Sequence, residues 1–282
     1  MTNTVQGSPL CKLNPKQPEF VLATSSYEKR VHMDHNLAHF YQFNAESGKM
    51  AVIPDACIDI LFWKKDGKIK TIIAGSRLEK GDVQTDLNCE YFGVRFMPGT
   101  NPVGNVATLC DLMNHEEDFE NMIVSHLDRE LLLEDMYNAV TFDDRIRAFM
   151  KFYKRSHALL SDDNNILKNY LKDRLCHADG NLKLTDLSDS TGYSERYLNK
   201  KIHEDFGLNP KSLIRIIRFQ KAISTLVAAI PDINCADAAI ESGYYDQSHL
   251  NKDFKIFTGL TPANYVDHLL CHSYDKKLHI IS

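Results

Sequence analysis

Five sets of residues in this 282-residue sequence carry side chains suited to chemistry, and each narrows what the chain can do. His32, His35 and His39 stand three and four residues apart, a spacing that would align three imidazoles on one helix face and suit a transition metal. No carboxylate or cysteine completes an obvious ligand set, and Leu37 to Phe43 reads equally well as strand, so no metal and no cofactor are expected. Cys57 lies between Asp55 and Asp59. Neighbouring carboxylates raise a thiol's pKa rather than activate it, which argues against a redox switch. Arg95, on a largely apolar strand, is a weak candidate for anchoring an anionic effector, a structural salt bridge being the commoner role. Trp63 is a weak candidate for a ligand platform, since tryptophan is more often core. No nucleophile elbow, phosphate loop or paired catalytic motif is present, so the chain is not expected to be an enzyme.

The fifth set is a repeat with an offset of about 51 to 52 residues. Thr191-Gly192-Tyr193, SERYLNKKIHEDFG and Leu208-Asn209-Pro210 correspond in order to Ser242-Gly243-Tyr244, YDQSHLNKDFKIFTG and Leu260-Thr261-Pro262. Similarity at a fixed period means one supersecondary unit built twice. Each copy reads as helix, tight turn, helix. Thr185 and Asn234 are expected to cap the leading helices, and Gly192 and Gly243 to end them in the left-handed region. Ser194 and Asp246 are expected to cap the second helices, which stop at Gly207 and Gly259. Leu198, Ile202 and Phe206 form a buried stripe in the first copy, and Leu250, Phe254 and Phe257 in the second. Asn209-Pro210 and Thr261-Pro262 each place a cap before a proline at the first helical position. Between the copies, Pro210 to Ala229 reads as one helix of roughly 30 Å, a stiff connector ended by Pro231.

The elements that precede the repeat have a different texture. Residues 1–25, with Pro9, Pro15 and Pro18, lack periodicity and read as an extended leading segment. Residues 26–120 read as a β-rich domain: Ile58 to Trp63 and Ile69 to Ala74 flank an Asp66-Gly67 hairpin turn, and Tyr91 to Met97 is a further apolar strand. Residues 121–160 read as a helical connector, with Leu127, Leu131, Leu132, Met136 and Tyr137 at helical spacing and a possible role in dimerisation. The polar run Ser161 to Asn165 marks the boundary to residues 164–272, with 273–282 left as a tail. The expected fold class is α+β: a β-rich N-terminal barrel or sandwich-like domain, a helical connector and an all-α C-terminal domain with two helix-turn-helix units.

At this point the motifs support a family resemblance. SGYYDQSHLNKDFKIFTGLTPANY is similar to the C-terminal signature of the AraC/XylS family of transcription regulators: a glycine and an aromatic before D-Q-S, then a basic residue and Phe, and a closing G-x-[ST]-P-x-x-[YF]. The match covers roughly Ile166 to Val266. Ser188, Cys235 and Ala238 depart from the family's usual aliphatic choices at packing positions. IPDACIDILFW and FGVRFMPG resemble a β-rich sensor domain found on some members, with Ala56 where glycine is common. Helix geometry together with the family's contact positions implies that Arg196, Asn199 and Lys200, then Gln247, Ser248, Asn251 and Lys252, face base edges. Lys201, Lys211 and Lys255 are implied as phosphate contacts. The resemblance also implies double-stranded DNA and RNA polymerase as partners, an activator, a possible homodimer, and an effector sensed by the N-terminal domain. A protein partner docking there in place of a small molecule is the alternative. Some members are fused to alkyl-transfer repair proteins, but the clustered cysteines those use are missing.

Composition is compatible with this reading. The net charge of −5 divides unevenly: from Asn165 onward there are 15 Lys/Arg and 14 Asp/Glu, which leaves about −6 before it. Within Glu195 to Lys221, seven basic residues face three acidic ones, and local charge is what meets phosphate. Seven cysteines, spread singly without a C-x-x-C pair, disfavour a disulfide scaffold or zinc ribbon. No apolar run approaches the roughly 20 residues of a membrane span, and the first residues lack a secretory signal, so a cytoplasmic protein is expected.

Overall fold

A computed structural model describes residues 15–32, 36–160, 165–177, 182–230 and 234–281. The boundary run Ser161 to Asn164, His35 and Pro231 lie outside these residues. A short helix α1 (Pro18–Leu22) leads into strands β1 (Tyr27–Val31), β2 (Leu37–Asn44), β3 (Lys49–Val52), β4 (Ile58–Lys65), β5 (Lys68–Gly75), β6 (Gly81–Gln84) and β7 (Glu90–Phe96). Helix α2 (Leu109–Leu112), the two-residue β8 (Glu116–Glu117), α3 (His126–Asn138) and α4 (Phe142–Leu160) follow. The C-terminal part runs α5 (Ile166–His177), α6 (Leu184–Thr191), α7 (Glu195–Phe206), α8 (Pro210–Ala228), α9 (Cys235–Glu241), α10 (Gln247–Thr258), α11 (Pro262–Cys271), α12 (Tyr274–Lys277) and β9 (Leu278–Ile281).

The strands form a seven-stranded sheet in the order β8-β5-β4-β7-β2-β1-β9 and a separate β3-β6 ribbon, so the domain is sandwich-like and not a closed barrel. Asp66 and Gly67 both adopt positive φ, the geometry that a two-residue hairpin between β4 and β5 demands. Alternation along the strands sorts the aromatic rings onto two faces. On one face, Phe40, Phe62 and Phe96 meet Phe149 of α4 with centroids 6.1 to 6.2 Å apart. On the other, Tyr41 and Phe43 stack on Phe20 of α1. Gly93 is required on β7 because a Cβ there would sit 2.1 Å from the Tyr41 ring.

Two expectations about the ends of the chain are corrected. The leading segment is not extended throughout: Pro18 stands at the first turn of α1, and burial of Phe20 and Val21 against the sheet stabilises that helix despite the preceding prolines. Residues 273–282 are not a tail. Ser273, in the left-handed region, reverses the chain into α12, and β9 then pairs in parallel with β1 from Tyr27↔Leu278 to Arg30↔Ile281.

In the C-terminal part the local signals act largely as read. Ser194 and Asp246 accept hydrogen bonds from the Tyr197 and His249 amides, and Asn234, Asn209 and Thr261 cap α9, α8 and α11. Thr185 does not cap: α6 begins earlier, at Leu184, after Lys183, which gives no side-chain cap, and Leu184 packs against the core. Leu198, Ile202, Phe206, Leu250, Phe254 and Phe257 are buried, and Phe219 of α8 packs 5.0 Å from Phe254 and 4.8 Å from Phe257.

Gly207 and Gly259 end α7 and α10 with φ of 72° and 79°, yet their surroundings differ. A Cβ on Gly207 would lie 2.7 Å from the Leu109 carbonyl of α2, whereas one on Gly259 meets nothing within 4 Å. Gly259→Ala is therefore expected to cost about 1 kcal/mol, the left-handed penalty alone, and Gly207→Ala about 2–3 kcal/mol because backbone must also shift. Urea unfolding of the two variants checks this. Equal losses would contradict the close contact between α2 and α7.

Candidate nucleic-acid interface

The caps and left-handed glycines fix where α7 and α10 begin and end, and the buried stripes fix which face each turns inward. Most of the polar side chains picked out by the sequence remain outside. Arg196, Asn199 and Lys200 are exposed on α7, and Gln247, Ser248 and Lys252 are exposed on α10 with Asn251 half-buried beside them. The Asn199 amide donates to the Glu195 carbonyl at 3.1 Å, and Lys200 lies 3.7 Å from Glu204. Both contacts are surface interactions of small worth and are readily exchanged for a ligand. Lys201 is tied at 3.0 Å to the largely buried Asp205, whereas Lys211 and Lys255 are exposed.

Not every cation near these helices faces outward. The Arg215 Nε donates to Asp253 Oδ1 at 2.7 Å, and its guanidinium lies 4.8 Å from the Phe257 ring. Arg218 lies 5.4 Å from the ring of Tyr244. These two arginines knit α8 to the second unit, so the local charge excess counted from the sequence overstates what phosphate would meet. Sequence reasoning also passed over three tyrosines. Tyr193 and Tyr197 stack at 4.8 Å beside Arg196, and Tyr245, 91% exposed, stands two residues before Gln247. Their signal was available, since an aromatic adjoins the reading positions in each copy of the repeat.

The N-terminal candidates are placed differently. Arg95 is 1% exposed and bound on two sides: Nε and Nη2 donate to Asp59 at 3.0 and 2.7 Å, and Nη1 lies 3.3 Å from Asp55 Oδ2 as an ion pair. Burial opposes its charge, but Asp59 and Asp55 outweigh that and hold the guanidinium protonated. Burial pushes the Cys57 thiol well up, and Asp55 adds to it, so the thiolate is disfavoured. Trp63 is half-buried, stacks on Tyr91 at 5.0 Å and donates from Nε1 to Asp86 at 2.8 Å. His39 lies on β2, buried, with its pKa lowered by burial and by Lys29 and Arg95. Among the described residues no group of three metal-ligating side chains occurs.

Beside the Arg95 cluster lies a small, solvent-open cleft. Phe20, Phe43, Leu61, Ile72 and Tyr91 make its apolar wall, and Gln17 and Asp55 lie at its buried end. The Gln17 amide donates to Asp55 Oδ2 at 2.9 Å. The exposed rim carries Arg77 paired with Glu116.

Comparison with known proteins adds the following. Residues 187–268 match a family described as "Helix-turn-helix domain". An uncharacterized HTH-type transcriptional regulator of Staphylococcus aureus (strain MRSA252) is 23% identical over 181 residues, 64% of this chain and 23% of the relative. The chain thus spans about a quarter of the length of that curated relative. The uncharacterized HTH-type transcriptional regulator YbfI of Bacillus subtilis (strain 168) is 34% identical over 90 residues, 32% of this chain and 30% of the relative. Among solved structures, ToxT from Vibrio cholerae O395 is similar with 16% identity and a TM-score of 0.40, covering 87% of this chain and 96% of that one. The C-terminal domain of AraT, a response regulator from Geobacillus stearothermophilus, is similar with 24% identity and a TM-score of 0.33, covering 39% of this chain and 87% of that one. No helix among the described residues is long and apolar enough to cross a membrane.

Proposed function

We infer, from an AraC-type helix-turn-helix domain forming the C-terminal part of this chain, that the protein is a transcription regulator. It reads duplex DNA through α7 and α10 and is controlled through its β-rich N-terminal domain. The observation that carries the reading is the doubled, capped unit that leaves Arg196, Asn199, Lys200, Gln247, Ser248 and Lys252 exposed while burying the opposite face of each helix. Arg bonds guanine, and Asn or Gln bonds adenine, in a bidentate manner that distinguishes one base from another. Helix α8, with 19 residues, spans about 28 Å. That length suits two recognition helices entering successive major-groove windows about 34 Å apart on one face of the duplex.

Control is assigned to the cleft beside Arg95. Its walls are apolar, and its one buried cation is already neutralised by Asp55 and Asp59, so the effector is a small, largely apolar molecule and not one held by a buried arginine. Family likeness makes the output activation, through contact with RNA polymerase. Purified full-length protein should select a site of about 20 bp from random DNA and protect two windows in footprinting. Extract fractions that shift its melting temperature should also shift transcription from a reporter carrying that site. Protection of one short window would overturn the two-helix reading, and melting shifts with no change in DNA binding or reporter output would overturn control through the cleft.

A further inference from the structure

We propose that the C-terminal strand is a brace that positions the second recognition helix. Resting on the reading above, this means that a chain without β9 loses the half of the DNA site that α10 reads and keeps the half that α7 reads. The two units are held to the N-terminal domain at separate places. The first unit rests on α2 and on the loop after β7: the Leu109 carbonyl closes on Gly207, Gly99 closes on the Phe206 ring, and Lys172 Nζ donates to Asn36 Oδ1 at 2.8 Å and Thr100 Oγ1 at 3.0 Å. Helix α8 is held at Gln220, 1% exposed, which bonds the Lys16 backbone amide and the Lys16 and Pro54 carbonyls.

The second unit is attached through a different set. Lys80 Nζ donates to the Thr258 carbonyl at 3.1 Å, at the end of α10. His268 of α11 faces Glu19 of α1 at 3.9 Å. Beyond α11 the chain turns at Ser273, buries Tyr274 to 5% exposure, donates from Lys277 Nζ to the Leu22 carbonyl at 2.8 Å, and adds β9 to the edge of the sheet. Parallel pairing requires a long crossover, and here nearly the whole chain lies between the two strands. The ladder therefore forms only once the second unit has docked, and it reports and fixes that docking. Its residues do not touch the reading face: Gln247, Ser248 and Lys252 stay exposed in the braced state. The brace thus acts by limiting the orientations of α10, a preorganising effect, and not by covering it.

β9 is a four-residue edge strand whose side chains are exposed or only partly buried, Leu278 and Ile281 touching the core and Ile280 67% exposed, so its removal leaves the fully buried core in place. The test compares the full chain with a chain ending at Lys277, which keeps Tyr274 and the Lys277–Leu22 bond, and with His279→Pro and Ile280→Pro. Successive amides on a strand alternate in direction, so one of these prolines removes an amide facing β1. On the selected site, affinity is expected to fall about tenfold in the shortened chain and in one proline variant. The footprint should recede from the α10 half, while affinity for DNA with that half scrambled stays unchanged. Hydrogen exchange, which needs no DNA, should quicken in α10 and α11 and not in α6 and α7. Unchanged affinity and footprint, equal loss on both halves, or exchange quickening alike in both units would overturn the brace. If the full chain selected no DNA site at all, the functional reading would fail and the exchange pattern would still decide whether β9 braces the second unit.

Discussion

Replacing Arg95 by leucine is expected to destabilise the protein by about 3–5 kcal/mol, the loss typical of removing one partner from a buried ion pair. Arg95 is enclosed by β4, β7 and the turn before β4, and its removal strands Asp59 and Asp55 in a low-dielectric interior. Burial already raises the Asp59 pKa, and Arg95 is the main force lowering it. Without that cation the folded-state pKa climbs further above the unfolded value of about 4. A carboxyl whose folded pKa is raised favours folding only while protonated. That contribution is complete below the unfolded pKa and is lost as pH rises through the folded one. The deficit of Arg95→Leu relative to the parent should therefore be small near pH 4 and widen toward pH 8. Adding Asp59→Asn should recover much of it, since an amide still accepts from Tyr41, whose hydroxyl donates to Asp59 Oδ1 at 3.0 Å. Urea unfolding across that pH range is the measurement. Parent-like stability at pH 8 would mean that the ion pairs do not matter and that Arg95 is available to a ligand after all.

What was legible in the sequence is what is decided locally. Caps such as Ser194, Asp246 and Asn209, and the left-handed glycines Gly192, Gly207 and Gly259, act over one turn of chain, so their spacing alone drew both helix-turn-helix units. The Asp66-Gly67 hairpin is equally local. The features missed are those set by partners far along the chain. Leu278 to Ile281 has no turn or alternation to announce a strand, and it becomes one only because β1 offers an unpaired edge. Arg215 and Arg218 look like DNA-facing cations until Asp253 and Tyr244 are brought beside them. The three prolines that suggested an extended leader hid α1, whose stability comes from Phe20 against Phe43 and Tyr41 rather than from its own five residues. For the same reason the cleft was invisible: its wall is assembled from β2, β4, β5, β7 and α1, and no one segment carries its signature.

Arg196→Ala and Gln247→Ala are each expected to weaken binding to the selected DNA site by about 1–3 kcal/mol, roughly 5- to 150-fold, and to relax sequence preference at the base each one reads. Both side chains project from capped first turns, Arg196 one residue after the start of α7 and Gln247 at the start of α10, where a recognition helix places its base contacts. Neither is buried, so truncation leaves the fold intact and the whole effect falls on DNA. Lys211 supplies the contrast. It is exposed in the first turn of α8, outside the two helices proposed to read bases, and its proposed partner is backbone phosphate. Lys211→Ala should weaken selected and scrambled DNA alike and reduce the slope of log affinity against log salt by about one. Titrations of all three variants against both DNAs at several salt concentrations separate the two roles. Equal losses on selected and scrambled DNA for Arg196→Ala would make it a phosphate contact and leave Asn199 and Lys200 to carry the reading in the first window.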